Sequence, residues 1–479
     1  MAVSAHTTQQ RVYFGGVLFL ALTIGFFFIP PDIFFTFGVG LTALTFFCLF
    51  LFNLRFGLYA LAAVGFFNGW DLILAKYSWA KQIAYLSSVN APVVDFLAVV
   101  LGFSILVSYG IKILPFSRAE FKTTLRPMRW YALFILVSGG ATILAYEHQM
   151  FSSVKYLLRS MLFVFPAYVL IPAALITSKD VLLKIFKIWL GVGVITALFG
   201  LSSLVVVPQA GWIRVEPYKI GDFAPLGYNH NLIAEVLTAI IPVAAYLVFR
   251  ERFKRVQGPQ TTRRWMGFAL ALGLIIAIDL LTLSRAGWLA FMVELGVIAY
   301  FFHHQLLEYF RFKARHGSQF VLLIAVLALI GYMGLFLTSA TVSSSNQTRW
   351  QLTDITLFYT LRSPLHGYGP GMFTRLLGDT FDYVIEHGEV LDSHGFIQKI
   401  LLEEGFVGLA LFVIFLIIVF AELFKVESPV AEDGLLIPLM ITMLAGVFAF
   451  QMFNTSYFSS VMWLPIGVAL AAAKLSKHH

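Results

Sequence analysis

The chain has 479 residues, 59% of them hydrophobic and only 12% charged, with a mean hydropathy of +0.85. Soluble proteins carry roughly 25% charged residues, so a water-soluble enzyme, a disordered chain and a nucleic-acid binder are all excluded. The 33 Lys and Arg exceed the 25 Asp and Glu to give a net charge of +8, whose meaning depends on where those residues fall. What remains is an all-α polytopic membrane protein.

A membrane-crossing helix needs about 20 apolar residues. From the N-terminus such stretches occur at 12–29, 33–52, 56–73, 93–111, 130–146, 156–177 and 184–207. They continue at 231–249, 266–283, 286–302, 319–338, 405–424, 434–453 and 457–473, which predicts about fourteen spans (12–14, since some separators are short). The first run ends at Pro30-Pro31-Asp32 with no small-residue cleavage site, so it reads as a span and not as a removable signal. The single cysteine, Cys48, lies in an apolar run and offers neither a disulfide nor a thiolate metal site.

With the N-terminus inside, the segments 1–11, 53–55, 112–129, 178–187, 250–265, 303–318, 425–433 and the tail from Lys474 collect 22 of the 33 basic residues. Lys and Arg accumulate on the inner side, so the positive charge reports topology and not a nucleic-acid partner. Two sizeable polar segments, 208–230 and 339–395, then face outward, the second reading as a long structureless loop. These polar segments lie between N-terminal spans over 1–207 and C-terminal spans over 425–479, within residues 208–424.

Ser284-Arg285-Ala286-Gly287-Trp288 places an arginine at the outer end of a hairpin, where basic residues are disfavoured. A guanidinium fork there suits an anionic lipid head group, particularly a diphosphate. The alternative is an interfacial anchor. The 208–230 segment offers Arg214 and Lys219, then Asn229-His230-Asn231, which reads as a helix cap or a solvated loop. Glu235, Asp279 and Glu294 interrupt apolar runs and are expected to face the bundle interior.

Further along, His366-Gly367-Tyr368-Gly369-Pro370-Gly371 is a tight turn in which the Gly369 and Gly371 amides are candidate phosphate cradles. Asp379, Asp382, Glu386, Glu389 and Asp392 form an acidic group without an Asp-x-Asp pair, so a metal-dependent sugar transfer has little support. A continuous helix from 395 to 424 would carry Lys399, Glu403 and Glu404 into lipid. The expectation is a short amphipathic surface helix broken at Gly405, then a span, with His394 at head-group depth as a structural residue or a base at neutral pH.

At these residues the chain resembles the O-antigen ligase and polymerase superfamily of bacterial membrane glycosyltransferases. Residues 284–288 resemble its Ser-Arg-small-small-aromatic element, and Arg349-Trp350 with Pro364 to Phe373 its "Arg…Trp…Pro-Leu-x-Gly-x-Gly-Pro-Gly-x-Phe" run. The ligase pattern places His, a polar residue, nine residues, Gly, two residues, then Gly, Thr or Tyr. His394, Gly405 and Gly408 keep that spacing, and Gly395 departs from it at the polar position. The matching block covers about residues 208–424.

The resemblance implies a GT-C-like, metal-independent, inverting transferase without a cofactor, spanning the bacterial inner membrane with its active site facing the periplasm. It implies an undecaprenyl diphosphate-linked glycan as donor, and lipid A-core or another glycan as acceptor. On the family pattern, His394, Arg285 and a second arginine, mapped to Arg214, are catalytic. Lys219, Arg349, Gly369 and Gly371 are expected to bind diphosphate or substrate. An O-antigen ligase is the leading expectation, an O-antigen or exopolysaccharide polymerase the rival, and a lipid-linked glycan transporter the more remote one.

Overall fold

The computed structural model describes residues 31–67, 71–73, 90–110, 122–144, 150–208, 211–221, 224–254, 259–312, 331–380, 392–426, 433–454 and 458–477. The expected span 12–29, most of 319–338, and Asp382, Glu386 and Glu389 lie outside them. The chain divides into two compact units, Met1–Gly57 with Asp71–Pro115, and Leu58–Trp70 with Phe116–His479.

In the first unit, α1 (Pro31–Phe52) packs on α3 (Val93–Gly110), with the Phe47 and Phe103 rings 5.3 Å apart. Between them α2 (Leu54–Val64) begins, and β1 (Asp71–Ile73) pairs antiparallel with β2 (Asn90–Pro92), Leu72 opposite Ala91. The expected span at 56–73 is therefore corrected. Its helix has 11 residues, about 16 Å at 1.5 Å per residue, too short to cross the hydrocarbon, and it ends before a strand.

The second unit is helical: α4 (Lys122–Ile143), α5 (Ser152–Leu175), α6 (Lys179–Val206), α7 (His230–Lys254), α8 (Pro259–Leu281) and α9 (Arg285–Phe312). After a helical turn at 331–337 come α10 (Ala340–Arg362), α11 (Phe373–Gly378), α12 (Phe396–Phe424), α13 (Leu436–Gln451) and α14 (Ser460–Lys477). Among the described residues, seven helices are long and apolar enough to cross a membrane: α3, α5, α6, α12 and the main parts of α7, α8 and α9. The protein is a polytopic membrane protein whose described elements are helical apart from one short ladder.

Helix α7 is the hub, buried along most of its length by α6, α8, α9 and α13. Small residues permit that packing: a Cβ at Gly287 would stand 3.0 Å from the Ala234 Cβ. As expected, Glu235, Asp279 and Glu294 all point inside. Glu235 accepts hydrogen bonds from Gln451 at 2.5 Å and Asn454 at 3.2 Å, which ties α7 to the end of α13. A second core joins α4, α5, α12 and α14 through Tyr131, Phe165, Phe415 and Trp463, with Tyr131 and Trp463 centroids 4.8 Å apart.

The segment expected to be structureless, 339–395, is largely ordered. Twenty-three of its residues form α10, whose inner side covers Met372, Phe373, Leu376 and Leu377. Sequence alone did not reveal this helix, because its polar first half lacks a continuous apolar stripe.

Helix α12 breaks at Gly405 (φ 68, ψ −170), where the sequence pattern placed the break. A break inside a helix leaves carbonyls and N–H groups without partners. The loop after α10 supplies them. Tyr368 and Gly369 donate to the Leu402 and Glu403 carbonyls at 3.1 and 2.8 Å, while Phe406 and Val407 donate to the Pro364 and Leu365 carbonyls at 2.8 and 3.4 Å. The first half of α12 does not rest on a surface with its charges in water, however. Lys399, Glu403 and Glu404 are all buried; Lys399 is paired with Asp392 and Glu403 accepts the Phe373 N–H, while both Glu404 oxygens have no hydrogen-bond partner among the described residues.

Candidate active site

The α8–α9 turn is built by its own side chains. Thr282 Oγ1 donates to the Asp279 carbonyl at 2.6 Å and accepts the Ser284 N–H at 3.2 Å. Ser284 caps α9 by accepting the Gly287 N–H at 3.2 Å, and donates to Asn231 Oδ1 on α7 at 2.7 Å. Trp288 Nε1 donates to the Leu280 carbonyl at 3.1 Å and packs with Leu283 and Phe336. Ser284, Gly287 and Trp288 of the Ser-Arg-Ala-Gly-Trp element thus each build the turn, and Arg285 is left to reach α10.

Arg285 donates to Asn346 Oδ1 and, at 2.7 Å, to Ser345 Oγ, both on α10. Arg285 and Asp279 make no pair with each other. They belong to different helices, and both Asp279 oxygens are buried without a hydrogen-bond partner among the described residues.

Arg214 approaches from the segment between α6 and α7, held there by the Val215 N–H on the Leu281 carbonyl at 2.9 Å. Its Nε donates to the Thr282 carbonyl at 3.3 Å and lies 3.3 Å from Glu216, while an Nη donates to His230 Nδ1. Burial lowers its pKa, opposed by Glu216. Lys219 is exposed and lies over the Tyr228 ring, 4.9 Å from its centroid.

Arg349 completes the set from α10. Its Nε is buried and without a hydrogen-bond partner among the described residues. Burial, then the neighbouring Arg285 charge, bring its pKa down to about 10. Arg214, Arg285 and Arg349 all lie within electrostatic reach of His230. Among the described residues, the one carboxylate ion-paired with any of the three is Glu216.

His394 stands just before α12. Its backbone N–H donates to Gln398 Oε1 at 3.3 Å, Gln398 Nε2 donates to Thr353 Oγ1 at 2.7 Å, and Thr353 Oγ1 donates to the Arg349 carbonyl at 2.8 Å. Two bonds therefore link the histidine to the helix that carries Arg349, and the third, within that helix, ends on the Arg349 carbonyl. The segment is anchored from the other side by Asp392, bonded to Lys399 Nζ at 2.6 and 2.8 Å. Burial lowers the His394 pKa to about 4; the Arg349 charge adds to that, Asp392 opposes it, and Arg285 contributes least. The ring is thus neutral at pH 7, with a free nitrogen lone pair to accept a proton.

Of the two glycines expected to cradle a phosphate, Gly369 donates its N–H to the Glu403 carbonyl at 2.8 Å, and the Glu403 carboxylate accepts the Phe373 N–H at 3.1 Å. The Gly369 amide is thus engaged in fastening the loop to α12. Gly395, where the resemblance expects a polar side chain, is pressed against α13: a Cβ there would stand 2.1 Å from the Met452 carbonyl oxygen.

His230 was readable only as part of a helix cap. Asn229 Oδ1 does accept the Asn231 N–H at 2.9 Å, as a cap would. The role of His230 beside Arg214 depends on a partner sixteen residues away. Ser345, Asn346, Thr353 and Gln398 carried no sequence signal, since each acts through a partner on another element.

The fold and site define a polytopic helical membrane protein with a cluster of guanidinium groups and a neutral imidazole at one end of its bundle. Residues 268–413 match the family described as O-antigen ligase. The match holds Arg285, Arg349 and His394, and Arg214 precedes it. No curated protein matches the chain.

Proposed function

We propose that this protein is an inverting, metal-independent, GT-C-like glycosyltransferase of the bacterial inner membrane. It moves a glycan from undecaprenyl diphosphate to a hydroxyl at the periplasmic face, as an O-antigen ligase acting on lipid A-core. The observation that carries this reading is the gathering of Arg214, Arg285 and Arg349, with a single paired carboxylate, beside an imidazole free to take a proton.

Three guanidinium forks suit a diphosphate, and fixed cations stabilise the charge that develops on it as the glycosidic C–O bond breaks. The acceptor oxygen attacks the anomeric carbon from the opposite face. His394 takes the hydroxyl proton, and undecaprenyl diphosphate leaves. No redox step is involved, and diphosphate is already a good leaving group.

One observation favours the rival reading, a polymerase that uses a second lipid-linked glycan as acceptor. The close approach of Gly395 to Met452 leaves no room for the polar side chain of the ligase pattern. Purified protein supplied with a lipid-linked glycan, with and without lipid A-core, separates the two. Glycan on lipid A-core supports the ligase, and lengthened lipid-linked glycan supports the polymerase. Transfer to neither would contradict both.

A further inference from the structure

Residues on a helix advance by about 100° each, so in α10 Leu352, Thr356 and Thr360, all buried, share one side with Arg349. Trp350, Leu357 and Leu361 form a stripe about a quarter turn away and are 69%, 46% and 73% exposed, with the exposed Asp354 at its edge. Phe358, also exposed, lies at the margin of this stripe under the Arg362 guanidinium, 3.8 Å away. Helix α10 is not among the helices apolar enough to cross a membrane.

The stripe does not end with the helix. Leu365 is 65% exposed, and its carbonyl accepts the Val407 N–H, while the neighbouring Pro364 carbonyl accepts the Phe406 N–H. Phe406 and Val407 are exposed, and they open the apolar half of α12, whose exposed side continues through Val413, Ile417 and Phe424. The outward side of α10 is thus continuous with the exposed side of a helix long enough to cross a bilayer.

We infer that α10 is an interfacial helix that lays Trp350, Leu357, Leu361 and Leu365 into the bilayer surface beside the end of the α12 span. The occupant of the stripe is membrane lipid. A Trp ring belongs at the water–hydrocarbon boundary, and an apolar face with a flanking arginine is the pattern of helices that lie in that plane. Arg362 keeps its cation within reach of lipid phosphate while its stem covers an aromatic ring. Because Arg349 lies on the same helix, about a quarter turn from the stripe, the depth of α10 sets the depth of that cation. On the reading of the site given above, that is the level at which a lipid-linked diphosphate presents its phosphates.

The test is fluorescence quenching in nanodiscs whose lipids carry bromine on the acyl chain. The Trp350 signal is the difference between the wild-type protein and Trp350→Phe. It should be partly lost in brominated discs, and more so when the bromine is near the carboxyl end of the chain than near its methyl end. Equal signals with and without bromine would overturn the inference. So would a signal shielded from both bromolipid and aqueous acrylamide, which would put a protein partner on the stripe. If Trp350→Phe does not accumulate, Leu361→Cys in a Cys48→Ser background, labelled with a polarity-sensitive dye, gives the same reading. A bromine-quenched, blue-shifted emission supports it, and water-like emission overturns it. Neither measurement needs substrate or turnover, so failure here and failure of the glycan-transfer reading are distinguishable.

Discussion

Among single residues, His394 makes the most specific prediction. Its pKa in the free protein is about 4, so the imidazole stays neutral as pH falls from 8 to 5, and kcat/KM should stay flat there and fall only below that range. A bound diphosphate offsets the fields of Arg349 and Arg285, both of which lower this pKa, so the acid limb of kcat should appear at higher pH. Superimposed acid limbs would mean that the arginines do not face the donor. Because guanidinium groups supply the positive charge, transfer should also survive EDTA; loss restored by magnesium would contradict that. Arg285→Lys should recover part of the rate lost in Arg285→Ala, since the charge returns without the fork. The placement of Arg285 and His394 at the ends of apolar runs was legible in the sequence. The contact of His230 with Arg214 was not, because an Asn-His-Asn triplet before a helix looks the same with or without an arginine against its ring.

Elements carry the next set of consequences. The break in α12 and the loop after α10 form one structural unit, since each satisfies the other's backbone. Gly405→Ala should destabilise the protein. Its φ and ψ suit glycine almost alone, a conformation costing other residues about 1–3 kcal/mol, and a Cβ there would stand 2.6 Å from the Leu365 backbone. A lower Tm in detergent is expected, and an unchanged Tm would show that the loop yields. The Gln398 bridge can be tested by a double-mutant cycle with Gln398→Leu and Thr353→Val. Both remove the same link, so their effects on kcat should be non-additive, with donor affinity unchanged. Additive losses would mean that the bridge does not position His394. The kink itself was legible, because Lys399, Glu403 and Glu404 do not fit in lipid. Their burial was not, because the Asp392 carboxylate that receives Lys399 and the Phe373 amide that receives Glu403 come from segments with no regular pattern.

For the whole molecule, apolar run length placed the described spans within a few residues, as at α8 and α9, where the residues expected to span are 266–283 and 286–302. It failed at 56–73, where an apolar composition conceals a short helix and a strand. On the distribution of the basic residues, 250–265 is expected inside and 339–395 outside. With Cys48 replaced, Gly378→Cys should react with an impermeant thiol reagent in spheroplasts and Gly258→Cys should not. Reaction at 258 would reverse the topology and put the arginine cluster on the wrong face for a periplasmic acceptor.

The division of labour at the site is tested most directly by one single-turnover measurement on His394→Ala, at saturating undecaprenyl diphosphate-linked glycan and with donor affinity read on the same preparation. Removing a general base slows a reaction by roughly 10²–10⁴-fold, so transfer should fall by that much while the donor binds as tightly as to the wild-type protein. A folded His394→Ala protein that transfers glycan at near the wild-type rate would contradict the role of His394. One that loses donor binding instead would contradict the assignment of the diphosphate to the arginines.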